Sequence, residues 1–238
     1  MFEVVKKGLE TSLQDYPGRV GFLNQGFPPS GPMDSWSFRL ANLLVGNKVG
    51  EAALECQYTG PSLKFESDHV ISICGGDMQP KIDGTAVPLW ESILVKRGQT
   101  LELNFCLTGA RTYIAFSGSI QSELWLGSKS TFHKAAVGGI DGRAIQEGQK
   151  ISLGISNGKI GKKIKADVIP EISNNGVWEI EVVRGPNDDW LDNNGYQTFL
   201  NTKWKLQARS DRTGFRLDGP LLSFNEKATN KSPDHGYE

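Results

Sequence analysis

Gln14-Asp15-Tyr16-Pro17-Gly18-Arg19, then Ser30-Gly31-Pro32-Met33-Asp34, then Ala41-Asn42-Leu43-Leu44-Val45-Gly46-Asn47 form one run. In it a Gly- and Pro-rich loop of mixed charge leads straight into a short helix. Asp34 or Ser35 suits the helix N-cap, and Gly46 suits the position just past the helix end. Trp36, Leu40, Leu43 and Leu44 make an apolar stripe at helical spacing. Loops tolerate change, so one this loaded with functional groups either positions a ligand or braces an unusual turn.

Outward from this run, the periodic segments read as strands. Residues 2–6, 70–74, 93–96, 101–105, 111–116 and 177–184 are short, rich in β-branched or aromatic side chains, and bounded by Gly, Asp or Pro. Asp83-Gly84 between Lys81-Ile82 and Thr85 predicts a tight hairpin. Gly98-Gln99 and Gly148-Gln149 each precede a further strand-like run. Many short strands with frequent turns predict closed or sandwiched β structure. A second helix fits residues 188–200, with Asn193-Asn194-Gly195 predicting an interruption. The four lysines of residues 159–165 read as a solvated linker. The domains expected are therefore residues 1–160, carrying the loop and helix, a linker over 161–176, and a second β unit over 177–238. That second unit has a polar, patternless tail and is too small to bury its strands, so the chain looks cut short.

Composition excludes several functions. A chain of 238 residues with a formal net charge of −1 offers no field for nucleic acid or anionic membrane. No apolar run is long enough to span a membrane as a helix. Cys56, Cys74 and Cys106 show no metal-ligand spacing; Cys74 and Cys106 sit in apolar runs and are expected as buried thiols. An odd cysteine count without a signal peptide predicts a reducing, cytoplasmic setting. His69, His133 and His235 are too scattered for a metal site. Gly127-Ser128-Lys129-Ser130-Thr131 lacks the glycines of a phosphate loop, no GxGxxG follows a strand, and no GxSxG occurs. A self-contained hydrolase or metalloenzyme is not expected.

Four polar clusters remain. Gln14, Asp15 and Arg19 offer an amide, a carboxylate and a guanidinium within six residues. Ser30 and Gly31 open a tight turn, running to Asp34, whose exposed N–H groups could face an anion at a helix start. Gly138-Gly139-Ile140-Asp141-Gly142-Arg143 lets backbone approach a ligand and presents a cation. Asp211 and Arg212 repeat the mixture of carboxylate, arginine and glycine. Each has a plainer reading: Asp15 with Arg19 pins a loop, Asp34 caps a helix, the glycines close a hairpin, and Asp211 with Arg212 is a surface ion pair. Taken together they describe donors for a developing oxyanion without a nucleophile, which suits a reaction whose reactive group comes from a cofactor or partner.

These clusters also carry a resemblance. With Gly8-Leu9-Glu10-Thr11, Leu54-Glu55, Gly60-Pro61-Ser62-Leu63, Leu126 to Phe132, Gly142-Arg143 and Ser210 to Pro220, the chain resembles biotin-dependent carboxyltransferase domains of the allophanate hydrolase subunit 2 type. That family includes urea carboxylase and urea amidolyase, the C-type subunit of 5-oxoprolinase and the antikinase regulator KipA. The resemblance implies a mainly β fold of two tandem cyclophilin-like β-barrel subdomains with few short helices, the second incomplete here. It implies carboxyl transfer from carboxybiotin, on a carrier domain, to urea or a similar amide. The alternatives are pyroglutamate hydrolysis as part of an ATP-dependent 5-oxoprolinase, and a non-catalytic KipA-like binding module. Implied partners are a second carboxyltransferase half of the allophanate hydrolase subunit 1 type, a biotin carboxylase that uses ATP, and a biotin carrier domain. No metal is expected in this chain. On this basis Arg19, Asp34, Arg143 and Arg212 are candidate catalytic residues. Gln14, Asp15, Ser30, Gly31, Asn42, Gly139 and Asp211 are candidates for substrate or biotin binding. The family normally continues past position 238, and its commoner Gly-Gly is Gly118-Ser119 in this sequence.

Overall fold

A computed structural model describes residues 1–172, 181–212 and 214–229. The chain divides into two compact units, Met1–Val177 and Trp178–Glu238. The first holds strands β1 (Phe2–Lys6), β2 (Glu10–Gln14), β3 (Ala53–Gln57), β4 (Ser62–Phe65), β5 (His69–Asp77), β6 (Lys81–Ile82), β7 (Thr85–Ala86), β8 (Ser92–Val95), β9 (Thr100–Glu102), β10 (Thr108–Phe116) and β11 (Lys150–Ile151). Its helix is α1 (Ser35–Leu44).

These strands form two antiparallel sheets, ordered β11-β1-β4-β9-β6-β7 and β2-β3-β10-β5-β8. Strand alternation sends every second side chain to one face. Phe2 and Val4 of β1 and Leu63 and Phe65 of β4 therefore meet Leu54 and Cys56 of β3, Ile71 and Ile73 of β5, and Ile114 and Phe116 of β10 in one core. The Phe2 and Phe116 rings stack at 5.1 Å. Each such side chain contributes about 1.5–3 kcal/mol on burial. The hairpin turn falls at Asp83-Gly84, both with positive φ, as the sequence predicts.

The other face of the five-stranded sheet carries α1. Phe38, Ala41, Leu44 and Val45 pack on Val70, Cys74, Ala53, Tyr113 and Ala115. The buried stripe is thus not the one expected. Leu40 and Leu44 are buried, but Trp36 and Leu43 stay about half exposed. The small residues of the sheet accept Phe38 and Ala41, and polar Ser37 and Asn42 go inward with hydrogen-bond partners instead. Trp36 donates its indole N–H to the Val168 carbonyl at 2.9 Å.

Mainly β structure is what the sequence predicts, but the ladders are two open sheets packed face to face, not closed barrels. Irregular segments cover the edges without extending the ladder. The Thr131 and Ile145 N–H groups donate to Leu13 and Thr11 carbonyls along β2, each at 2.9 Å. Along β8, Ser92 N–H donates to Lys162 O at 2.9 Å, and Glu91 bridges to Lys163. The lysine run is solvated in its side chains, but its backbone is held against a strand.

The second unit has α2 (Asn193–Asn201), the strand pair β12 (Lys205–Leu206) and β13 (Leu217–Asp218), and α3 (Glu226–Thr229). Asn193-Asn194-Gly195 forms the first turn of α2 and does not interrupt it. Asp192 caps the helix by accepting the Gly195 N–H at 2.7 Å. A Cβ on Gly195 would lie 2.1 Å from the Ser223 carbonyl oxygen, so glycine is needed for this contact. The end of the expected linker, the start of the strand expected over 177–184 and the tail beyond Thr229 lie outside the described residues. The rest of that strand segment, 181–184, is irregular.

Candidate functional site

Alternation along β2, β3 and β10 also puts Ser12, Gln14, Glu55, Arg111 and Tyr113 on the face that bears α1, where they reach the loop before it. Buried Gln14 donates to Ser12 Oγ and accepts the Gly31 N–H, both at 3.0 Å. Glu55 accepts the Met33 N–H at 2.8 Å and the Tyr113 hydroxyl at 2.9 Å through one carboxylate oxygen. Its other oxygen pairs with Arg111 Nε at 3.1 Å. The Tyr113 hydroxyl accepts the Asp34 N–H at 2.8 Å. Burial, and then the neighbouring Glu55 carboxylate, hold the Tyr113 hydroxyl well above its ordinary pKa, so it stays a donor.

The expectation that the turn over Ser30 to Asp34 exposes its N–H groups to an anion is therefore corrected. The amides of Gly31, Met33 and Asp34 point at Gln14, Glu55 and Tyr113. Asp34 is a cap: one carboxylate oxygen accepts the Trp36 and Ser37 N–H groups and the other accepts the Ser37 hydroxyl. Asn42 donates to Glu51 O and accepts from Asn47, which donates also to Phe116 O and accepts the Gly118 N–H. That network braces α1 against the sheet. Ser30 is the exception. Its φ is +56°, and its half-buried side chain makes no hydrogen bond with the described residues.

A second constellation brings together segments more than 100 residues apart. The Asp15 carboxylate accepts the Ser128 and Ser130 hydroxyls, each at 2.5 Å, and the Lys129 N–H at 2.8 Å. The sequence resembling a phosphate loop thus cradles an anion that the protein itself supplies. Arg19 is 0% exposed. It donates through Nη2 to Ser130 O at 2.8 Å, weakly through Nε to Trp125 O at 3.4 Å, and stacks over the Trp125 ring at 4.6 Å. Its Nη1 has no hydrogen-bond partner among the described residues. Burial lowers its pKa and nearby Asp15 opposes that shift.

Gly138 and Gly139, with φ of +67° and +62°, close over this cluster. A Cβ on Gly138 would meet Ser130 O at 2.2 Å and Arg19 Nη2 at 2.8 Å; one on Gly139 would meet Thr131 Oγ1 at 1.9 Å. Gly139 N–H donates to Lys129 O at 2.9 Å. Arg143 ends the turn, exposed, with a guanidinium that no described residue engages.

The structure thus brings Gln14, Asp15, Arg19, Ser30, Gly31 and Gly139 into adjoining loops, and sets Asp34 and Asn42 at the two halves of α1. Asp211 and Arg212 belong to the second unit, where Asp211 and Gly214 exchange backbone hydrogen bonds in a turn between β12 and β13. Sequence reasoning missed Arg111, Tyr113, Trp125, Ser128 and Ser130, and gave Glu55 no role. A glutamate inside the apolar run Ala52-Ala53-Leu54-Glu55-Cys56 was the available signal.

Among the described residues no group of three or more His, Cys, Asp or Glu side chains could hold a metal, and no helix is long and apolar enough to cross a membrane. Among the described residues, fold and site define a β-rich domain of braced polar loops with no activated nucleophile. The chain belongs to the carboxyltransferase domain, subdomain A and B, family, whose model matches residues 25–238. It is 40% identical over 225 residues to the urea amidolyase of Saccharomyces cerevisiae, covering 92% of this chain and 12% of that protein. To the C-type subunit of 5-oxoprolinase from Escherichia coli it is 31% identical over 224 residues, covering 93% of this chain and 70% of that one. The crystal structure of the K. lactis urea amidolyase superposes with a TM-score of 0.87 at 38% identity, covering 94% of this chain and 14% of that one. The chain spans only 12–13% of the length of the urea amidolyases it matches.

Proposed function

We propose that this chain is the carboxyltransferase part of a urea carboxylase-like system in the cytoplasm, moving a carboxyl group from carboxybiotin to urea or a similar amide. The observation that carries the reading is the combination of 40% identity to a urea amidolyase with a loop region in which the Ser30 and Arg143 side chains have no hydrogen-bond partner among the described residues. A hydroxyl and an exposed guanidinium are the donors that a ureido carbonyl and a carboxylate require, so these residues fit biotin and its cargo. When bound, biotin supplies the carboxyl group and a ureido leaving group. Arg143 would hold carboxylate oxygens and stabilise negative charge as it develops. Ser30 would donate to the carbonyl of the amide and orient its nitrogen. Arg19, Asp15, Gln14 and Asn42 act behind them, keeping the loops in place. ATP is used by a biotin carboxylase component, and a carrier domain and a second carboxyltransferase half complete the system.

The test combines this chain with those components and follows urea-dependent fixation of labelled bicarbonate. Avidin-sensitive transfer is expected, with Arg143→Ala lowering kcat/KM about 100-fold, the usual effect of losing one oxyanion donor. Absence of transfer, or an Arg143→Ala variant equal to wild type, sinks the reading. A second reading is favoured by the 70% of the Escherichia coli 5-oxoprolinase component that the chain covers. It predicts pyroglutamate cleavage with the neighbouring components of that enzyme and indifference to avidin.

A further inference from the structure

Ser30 stands in a backbone conformation that costs a non-glycine residue about 1 kcal/mol or more, and such a conformation persists only where its surroundings impose it. The surroundings are identifiable. Downstream of Ser30, the amides of Gly31, Met33 and Asp34 are each held by a side chain of the five-stranded sheet. Two of the three anchors meet at one point: Glu55 and Tyr113 are directly opposed across β3 and β10, and they share a hydrogen bond. Arg111, two residues along β10, neutralises the carboxylate. Glu55 is 3% exposed and Tyr113 0% exposed, so neither is available to a ligand. A buried carboxylate at this position is costly unless fully paired. Here its partners include an arginine, a phenol and the Met33 amide, and the phenol in turn holds the Asp34 amide of the same turn.

We infer that Glu55 and Tyr113, charge-balanced by Arg111, are positioning residues whose role is to fix the turn over Ser30 to Asp34 and so to aim the Ser30 side chain. The inference rests on the reading, given above, that this turn lines the carboxyl-transfer site. Its chemistry is specific. Only a protonated phenol can donate to Glu55 while accepting from Asp34, and only an acceptor with two free lone-pair directions can take Met33 and Tyr113 together. The burial that keeps Tyr113 protonated thus serves the same end. Phenylalanine at position 113 would fill the same space but leave the Asp34 N–H without this acceptor and remove one of the hydrogen bonds to Glu55.

The test compares wild type with Tyr113→Phe, which removes one oxygen atom, and Glu55→Gln, which keeps shape and one acceptor. Amide hydrogen exchange is read at Met33 and Asp34, and KM for the amide is read separately from kcat in the assembled system. In Tyr113→Phe, exchange is expected to quicken at least about tenfold at these two amides, the ratio matching one lost buried hydrogen bond of about 1.4 kcal/mol. KM should rise about tenfold, with exchange in β5 unchanged, and Glu55→Gln should show the same pattern in milder form. A merely structural role would lower the amount of folded enzyme, and hence apparent kcat, while leaving KM alone. Unchanged exchange at Met33 and Asp34 overturns the inference, and so does quickened exchange with wild-type KM. If the wild-type system transfers no carboxyl group at all, the functional reading falls, while the exchange result still decides whether Glu55 and Tyr113 hold the turn.

Discussion

Replacing Arg19 with methionine separates bracing from chemistry, because the stem stays and only the guanidinium is lost. The Ser130 carbonyl would forfeit a charged hydrogen bond of 2.8 Å, worth about 1.5–3 kcal/mol. Trp125 would forfeit a cation–π contact worth about 2 kcal/mol in a desolvated setting. The 3.4 Å contact to Trp125 O adds little at that length. Against these losses stands the desolvation of the guanidinium, an effective cost of a few kcal/mol that methionine avoids. The unpartnered Nη1 is part of that cost. The difference is a net destabilisation of about 2 kcal/mol. For a unit of this size each kcal/mol lowers Tm by about 2–4 °C, so differential scanning calorimetry should show a fall of about 4–8 °C. Arg19→Lys keeps the charge and one bond to Ser130 but loses the flat face over Trp125, and should fall in between. A methionine variant that melts at or above the wild-type temperature would refute the view of Arg19 as a net brace.

Other perturbations give equally direct readings. His69 is buried, with Nε2 2.7 Å from Ser117 O, and burial lowers its pKa. The unfolded chain therefore binds the proton more readily, and stability present above the unfolded pKa of about 6.5 is lost as pH falls below it. Tm should drop between about pH 7 and pH 5, and His69→Gln should flatten that slope; an unchanged slope would show that His69 is not its source. Burial raises the Cys56 and Cys74 thiol pKa values, while Cys106 is only half-buried and donates its Sγ–H to Thr108 O at 2.9 Å. Ellman titration of native protein should find at most one reactive thiol, and three after denaturation; early reaction of all three would contradict the packing. Gly139→Ala drives a Cβ into Thr131 and should cost about 3 kcal/mol or more, whereas Gly148→Ala, with φ of +82° and open space, should cost about 1 kcal/mol. Equal melting shifts for the two would refute the close approach at Gly139.

What was legible in the sequence is what local chemistry determines. The Asp34 cap, the Gly46 stop, the Asp83-Gly84 hairpin and most first-unit strands depend on residues a few positions apart. The stripe on α1 misled because a helix turns to fit what it packs on. Ala53, Cys74 and Ala115 receive Phe38 and Ala41, leaving Trp36 and Leu43 outside. The turn over Ser30 to Asp34 misled in the same way: its free amides look like an anion site until Glu55 and Tyr113, 22 and 79 residues from their partners, are brought underneath. Asp15 finds Ser128 and Ser130 only through β2 pairing, which no local pattern announces. In α2, Asn193-Asn194-Gly195 reads as a breaker until the contact of Gly195 with Ser223 is seen.

Thr131 and Ile145 hang from β2 by backbone hydrogen bonds, and the loop between them carries Gly138, Gly139 and Arg143. The same segment therefore has two duties, presenting a cation to solvent and sealing a strand edge that would otherwise invite another chain to add to the sheet. Exchanging this loop wholesale to alter specificity would uncover β2 and favour aggregation, whatever it did to recognition. Diversification here is channelled into single side chains between fixed anchors. Residue 143 is exposed, so a change of side chain there alters recognition without disturbing the edge, while residues 131 and 145, whose side chains are themselves buried, hold the loop in place.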